Sequence, residues 1–386
     1  MFVYILIFIV AVAIYAFSNE KNEQSKLVLV IYLGGLALFV GCADMLGGYD
    51  RYIYCEVFDT MSMSYHLTGE IDIEGSAGYQ LFSAEWGFLW FNQLVAFVTI
   101  NRYVFIFILT VFVYTLLFVS ISRYCRNYSF AMIVFLGLWF FFTFTYLRQV
   151  MAATIGWLSI KYLIDRKPLP FFLIAFIAFI FHNSAIVLAP LYFIPIKKFN
   201  PLLVVGGMIF CLFVGLTDAL SVLFEMSDAI ADKAKAEANV QLVEEGAFRV
   251  AYLIEAVLFL VLILWRYDTI DENDRKQVVM LNMALLFCAM LLLFVRSENG
   301  GRFSWHFMIG LIATVTHIAT HPVHKNNALT GALVVMFFVL FMRILILWGI
   351  QLSPYKSFFT DGHREGDVIF QIYEYDPRYD RDKFYK

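Results

Sequence analysis

Residues 129–164 read SFAMIVFLGLWFFFTFTYLRQVMAATIGWLSIKYLI. Arg123 and Arg126 precede this stretch, and Arg166 and Lys167 follow it. As one α-helix it would run about 54 Å, at 1.5 Å per residue. The hydrocarbon core of a bilayer is only about 30 Å thick. The stretch therefore predicts a fold-back near its middle, at Tyr146-Leu147-Arg148-Gln149, with both ends on the basic side. Residues 168–198 repeat the arrangement, with Lys197 and Lys198 closing the segment and His182-Asn183-Ser184 at its centre. Each arm of that second segment reaches only about 16 Å, which predicts a re-entrant hairpin.

Working outward, further apolar runs cover 2–18, 27–43, 86–100, 103–121, 201–217, 248–265, 277–295, 303–320 and 328–350. The chain is 61% hydrophobic and 15% charged, with a mean hydropathy of +0.75. A soluble domain carries about 25% charged residues, so lipid must solvate much of this surface. The expectation is an all-α, polytopic membrane protein with about ten to twelve membrane segments. A net charge of -3, with no basic stripe and no phosphate-cradling glycine loop, argues against nucleic acid. The five cysteines have no metal spacing and are odd in number, so neither a disulfide framework nor a zinc site is expected.

The short connections are basic: Lys21/Lys26, Arg123/Arg126, Arg166/Lys167, Lys197/Lys198, Arg266/Arg275/Lys276 and Lys325. The long ones, 44–85 and 218–247, are acidic. Short basic loops belong in the cytoplasm, whereas long loops cross largely regardless of charge. The two acidic loops are therefore expected outside, on the same face as Arg148, His182, Arg296, Glu298 and Arg302. This topology requires 86–100 to be re-entrant or interfacial. Residues 2–18 lack a preceding basic region and read as a retained anchor with its N-terminus outside. Residues 1–352 form the membrane domain, and 353–386 form a polar, Tyr-rich tail.

An arginine inside an apolar run costs about 2.5–3.5 kcal/mol on insertion scales and marks a functional site by default. Arg148 is read either as an interfacial snorkel or as an anion clamp, since its planar fork matches phosphate. Gln149 adds an orienting donor. Arg302 and Arg296 are the other clamp candidates, because two arginines suit a pyrophosphate. His182 is either a buried structural histidine or a general base, its ordinary pKa being about 6.5. Asp50, after Gly47-Gly48-Tyr49, and Glu85, opening Glu-Trp-Gly-Phe, are candidates to bind or deprotonate a sugar hydroxyl. Tyr49, Tyr52, Tyr54, Trp86 and Trp90 are candidates to stack on sugar faces or to form an interfacial belt. Trp305 and His306 fit either a site or an ordinary helix start. His317, His321 and His324 share one helical face, but Pro322 intervenes, and no metal site is expected.

In this order, Gly-Gly-Tyr-Asp50 with Tyr54 and Phe58, Glu85-x-Gly-Phe, Arg148-Gln149 with Ala152 and Ile155, Phe181-His182-x-Ser-Ala, and Arg302-Phe303 resemble the EpsG family of Wzy-type O-antigen and exopolysaccharide polymerases. The resemblance spans roughly residues 30–350. The Gly47-Gly48-Tyr49 piece is a loose version of the family's pattern, and residues 60–80 have no counterpart. The resemblance implies an architecture similar to GT-C membrane glycosyltransferases, in the bacterial cytoplasmic membrane, with the active site facing the periplasm or cell exterior. It implies a polyprenyl-pyrophosphate-linked oligosaccharide as donor and a second lipid-linked repeat unit as acceptor. Membrane lipid, a flippase and a chain-length regulator are the implied partners, and no cofactor or metal is expected. In the inverting displacement this suggests, Arg148 and Arg302 hold the pyrophosphate while His182, or failing it Asp50 or Glu85, takes the proton. Competing readings are a glycan ligase or acyltransferase of the same pathway, a polysaccharide transporter or flippase, and a non-catalytic scaffold.

Overall fold

A computed structural model gives an all-helical protein and describes residues 1–18, 23–44, 49–70, 85–217, 248–297, 300–321 and 326–359. In chain order the α-helices are α1 (Phe2–Phe17), α2 (Lys26–Gly41), α3 (Tyr49–Thr68), α4 (Trp86–Ala96), α5 (Arg102–Tyr124), α6 (Tyr128–Leu138), α7 (Phe142–Thr145), α8 (Leu147–Trp157), α9 (Ile160–Ile164), α10 (Pro168–Phe181), α11 (Pro201–Leu216), α12 (Val250–Trp265), α13 (Arg275–Leu293), α14 (Met308–Ala319), α15 (Asn327–Leu347) and α16 (Gly349–Leu352). Tighter 3₁₀ segments span Asn183–Phe193, Tyr267–Thr269 and Gly300–Phe307. The chain divides into two compact units. The first is Met1–Ile155, Ile177–Asn183 and Asn326–Lys386; the second is Gly156–Phe176 and Ser184–Lys325.

Local chemistry explains where the long helices begin. Ser25, Asn101, Asn127, Asn200, Asp274 and Asn326 each accept a hydrogen bond from a backbone N–H two or three residues on. Each such cap satisfies a donor the helix cannot, and removing one costs about 1 kcal/mol. By length and composition, α5, α13 and α15 are long and apolar enough to cross a membrane. Among the described residues, seven shorter apolar helical segments of 10–17 residues accompany them. The fold is that of a helical membrane protein.

The stretch 129–164 is interrupted three times, at Trp139–Phe141, at Leu158–Ser159 and at Tyr146, whose φ of -87° and ψ of 52° leave the helical region. The break at Tyr146 opens the expected 146–149 turn, and Arg148 sits in the first turn of α8. Trp139, Phe140 and Phe141 are all buried, as is every residue of α6 before them. In the second unit, Arg166 donates to the carbonyls of Tyr192 and Ile194 at 2.5 and 2.8 Å. Phe171 and Phe172 pack their rings against Tyr192. The two ends of 168–198 therefore lie side by side, as a hairpin requires.

Two findings change the reading of the polar stretches. Residues 49–68, inside the long acidic segment, form the 20-residue helix α3. Tyr54, Val57, Phe58 and Met61 are buried, and their spacing of three and four makes one apolar face. At the other end of the chain, residues 353–359 pack onto the first unit. An antiparallel bridge joins Ala43 and Ser357, and Asp44 N–H donates to the Lys356 carbonyl at 3.0 Å. Tyr355 stacks on Phe39 with ring centroids 4.1 Å apart. Beside this strap, fully buried Arg51 donates to the carbonyls of Val40, Ala43 and Asp44 at 2.7, 3.1 and 3.1 Å. It closes the C-terminal end of α2, whose last carbonyls have no partner within the helix. Residues 218–247 and 360–386 lie outside the described residues. Helix α4 is 11 residues long, about 16 Å, and too short to cross.

Candidate functional site

The first unit gathers Glu85, Arg148, His182 and Tyr54. Glu85 occupies the N-cap position of α4 but makes no side-chain cap. Its carboxylate goes instead to Arg148, with Oε2 paired to the guanidinium. The other carboxylate oxygen lies 4.0 Å from His182 Nε2. The Arg148 guanidinium also sits over the Tyr54 ring, 5.5 Å from its centroid, a cation–π arrangement. Glu85 joins two positive or protonatable groups that are 63 and 97 positions away in the chain.

The surrounding residues explain why Glu-Trp-Gly-Phe has this spacing. A Cβ on Gly87 would lie 2.8 Å from a ring carbon of Phe181. Only glycine lets the start of α4 press against the residue preceding His182. Phe88 meets the buried Tyr54 edge-to-face, with centroids 5.5 Å apart. Glutamate, glycine and phenylalanine thus each fix one neighbour: Arg148, Phe181 and Tyr54.

Exposure decides what a substrate can touch. The Glu85 side chain is 4% exposed, against 17% for Arg148 and 24% for His182. The carboxylate forms the floor, while the guanidinium and imidazole form the open side. An ion pair this enclosed is costly to break, because a lone buried charge remains. Burial pushes the Tyr54 hydroxyl up to about 12, so it stays protonated and acts as a neutral hydrogen-bonding group. Asp50 stands in the first turn of α3, where its backbone N–H donates to Thr145 Oγ1 at 3.4 Å. It is partly exposed and lies within electrostatic range of Tyr54. Gln149 follows Arg148 on α8 and is buried.

Residues 37–357 match the family model of EpsG. The chain belongs to the EpsG family. EpsG is a Wzy-like polymerase family, which gives this membrane protein an exopolysaccharide- or O-antigen-polymerase-like role. No curated protein and no solved structure matches the chain.

The candidates from Arg296 to His317 lie in the second unit of this EpsG chain. Arg302 is partly exposed on the 3₁₀ segment Gly300–Phe307. Arg296 donates to the Leu216 carbonyl at 3.3 Å and so serves the C-terminal end of α11. Glu298 lies outside the described residues. His306 is fully buried, with Nε2 2.8 Å from Ser184 Oγ, and its backbone carbonyl accepts from Trp157 Nε1 at 3.0 Å. Sequence reasoning had no means to pair residues 184 and 306. His317 is buried against the Thr269 carbonyl, with Nε2 at 2.9 Å, and His324 lies outside the described residues. Among the described residues no three His, Cys, Asp or Glu side chains gather as a metal site would require.

Proposed function

We propose that this EpsG-family chain polymerises polyprenyl-pyrophosphate-linked oligosaccharide repeat units by glycosyl transfer at the outer face of the bacterial cytoplasmic membrane. The observation that carries the reading is the Arg148–Glu85–His182 cluster, open on its cationic and imidazole side, within a chain of this family. In the reaction, the acceptor hydroxyl attacks the anomeric carbon of the donor with inversion. The bond from that carbon to the lipid pyrophosphate breaks, and the pyrophosphate leaves with the electron pair. Arg148 stabilises the charge developing there, which is the largest lever available to such a site. His182 takes the hydroxyl proton, with Glu85 orienting its ring and balancing the cation it becomes. Glu85 is ion-paired and enclosed, so we assign it the orienting role and His182 that of base. Asp50 and Tyr54 hold sugar hydroxyls, Gln149 orients the Arg148 turn, and Arg302 serves a lipid phosphate.

The proposal includes ten to twelve membrane segments in a GT-C-like arrangement, with a flippase delivering substrate and a chain-length regulator acting on the product. The test is chain elongation in membranes containing equal amounts of wild type, Arg148→Lys and Arg148→Ala. Both variants are expected to give only unpolymerised repeat units. Full-length polymer from both would remove Arg148 from the mechanism. Labelling cysteines introduced beside positions 148 and 182 from each side of the membrane tests the orientation, and reaction from the cytosol alone would overturn it.

A further inference from the structure

The second unit holds a groove of about 490 Å³ between α11 and α13. Asn282, two turns into α13, donates to the carbonyls of Pro195 and Lys197 at 3.3 and 3.4 Å, in the loop that leads into α11. At the other end, a Cβ on Gly215 of α11 would lie 2.3 Å from the Leu292 carbonyl oxygen of α13. The two helices therefore run parallel and touch backbone to backbone at their C-terminal ends. Toward their N-terminal ends they part, and Leu203, Gly207 and Cys211 face Leu285, Leu286 and Ala289 across the opening. A Cβ on Gly207 would meet nothing within 4 Å, so open space begins at its backbone. Apart from Asn282 the lining is apolar.

Water gains little in such a groove, because apolar walls offer it no hydrogen bonds. A hydrocarbon chain recovers the dispersion contacts that bare walls forgo. Length selects the chain. From Leu203 to Cys211 the wall rises about 12 Å, and one leaflet contributes about 15 Å of hydrocarbon depth. A single acyl chain matches that depth, whereas a polyprenyl tail is longer than the groove. Charge selects the headgroup. Lys197 is exposed, and its ammonium stands 5.2 Å over the ring of Phe199, a lining residue. No carboxylate among the described residues pairs with it. Neighbouring Lys198 is held by the fold, its ammonium donating to the Ile270 carbonyl at 2.9 Å. Exposed Arg275 opens α13 at the same end. An exposed ammonium at the head of a hydrocarbon groove complements an anionic headgroup, and basic pockets between membrane helices bind such lipids.

We propose that this groove binds an anionic phospholipid, with one acyl chain between α11 and α13 and the phosphate against Lys197. Burial of the chain supplies most of the binding, and Lys197 supplies the preference for negative charge. The inference needs the chain to lie in a membrane and does not need the polymerase reading.

The test uses the full chain purified in detergent, with phosphatidylglycerol carrying a photoreactive acyl chain as the probe. Crosslinks are expected on peptides covering residues 203–211 and 285–289. Unlabelled phosphatidylglycerol should suppress them at concentrations where phosphatidylcholine does not. Lys197→Gln, at an exposed position, is expected to raise the concentration for half-maximal crosslinking about fivefold, the scale of one lysine beside an anionic headgroup. Gly207→Leu puts a side chain into the open groove and should abolish the crosslinks there while the protein stays monodisperse. Equal suppression by the two lipids, or crosslinks spread evenly over the lipid-facing helices, would overturn the proposal. Stronger competition by a polyprenyl phosphate would give the groove to an isoprenoid tail and overturn it as well. If Gly207→Leu does not fold, Lys197→Gln still decides, since an unchanged half-maximal concentration sinks the headgroup assignment.

Discussion

Removing Arg148 and Glu85 singly and together separates the structural work of the ion pair from its chemical work. Both side chains are largely enclosed, at 17% and 4% exposure. Breaking a buried pair from one side costs about 3–5 kcal/mol, chiefly because the surviving charge is stranded. Arg148 keeps some contact with solvent, so Arg148→Met and Glu85→Gln are each expected near the lower end, about 3 kcal/mol. The double variant strands no charge. It should lie within about 1 kcal/mol of wild type, since apolar or neutral replacements of similar volume are often tolerated. The coupling in the cycle would then be several kcal/mol, well beyond the few tenths found for independent sites. Stability is read as the monodisperse fraction surviving denaturant or heat in detergent, and function as polymer length in membranes. The expected pattern is two unstable single variants, a stable double variant, and no polymer from any of them. If the double variant loses as much stability as the two singles added together, the pair is not the unit described here. If it is stable and makes full-length polymer, the cluster has no part in the chemistry.

Other outcomes follow from the same geometry. His182→Gln should accumulate normally and slow elongation by about 10²–10⁴, the usual contribution of a general base, measured as initial rate at equal protein. Gly87→Ala places a methyl group 2.8 Å from Phe181. It should destabilise by about 1–3 kcal/mol, as overpacking does, with part of the loss recovered when Phe181 is shortened to Leu. Arg51→Met removes the side-chain donor from three buried carbonyls, of which that of Val40 keeps the Ala43 N–H. At about 1–3 kcal/mol for each group left unsatisfied, little folded protein should be recovered on detergent extraction. Burial holds the Tyr54 hydroxyl protonated up to about 12. The pH profile of elongation between 6 and 9 should therefore keep its shape in Tyr54→Phe, although the rate falls.

Much of this protein is legible in its order of residues, for a simple reason. A bilayer imposes a length and a polarity on every segment it solvates, so runs such as 103–121 and 328–350 declare themselves helical. The same rule makes Arg148 and His182 conspicuous, because polar groups in apolar runs are rare and costly. Composition cannot say which charges neutralise each other. Glu85 stood with Asp50 as the fallback base behind His182 until α4 and α8 brought it against Arg148. Arg51 looked like a stray charge in an acidic loop, whereas it closes α2 from within. Residues 49–68 read as loop because α3 is only weakly apolar, and its buried face appears only once α4, α5 and α7 supply a surface to pack on. Hydropathy is a property of each segment by itself, and the sequence determines it alone. Charge pairing depends on distances between segments far apart in the chain, and only the tertiary structure decides it.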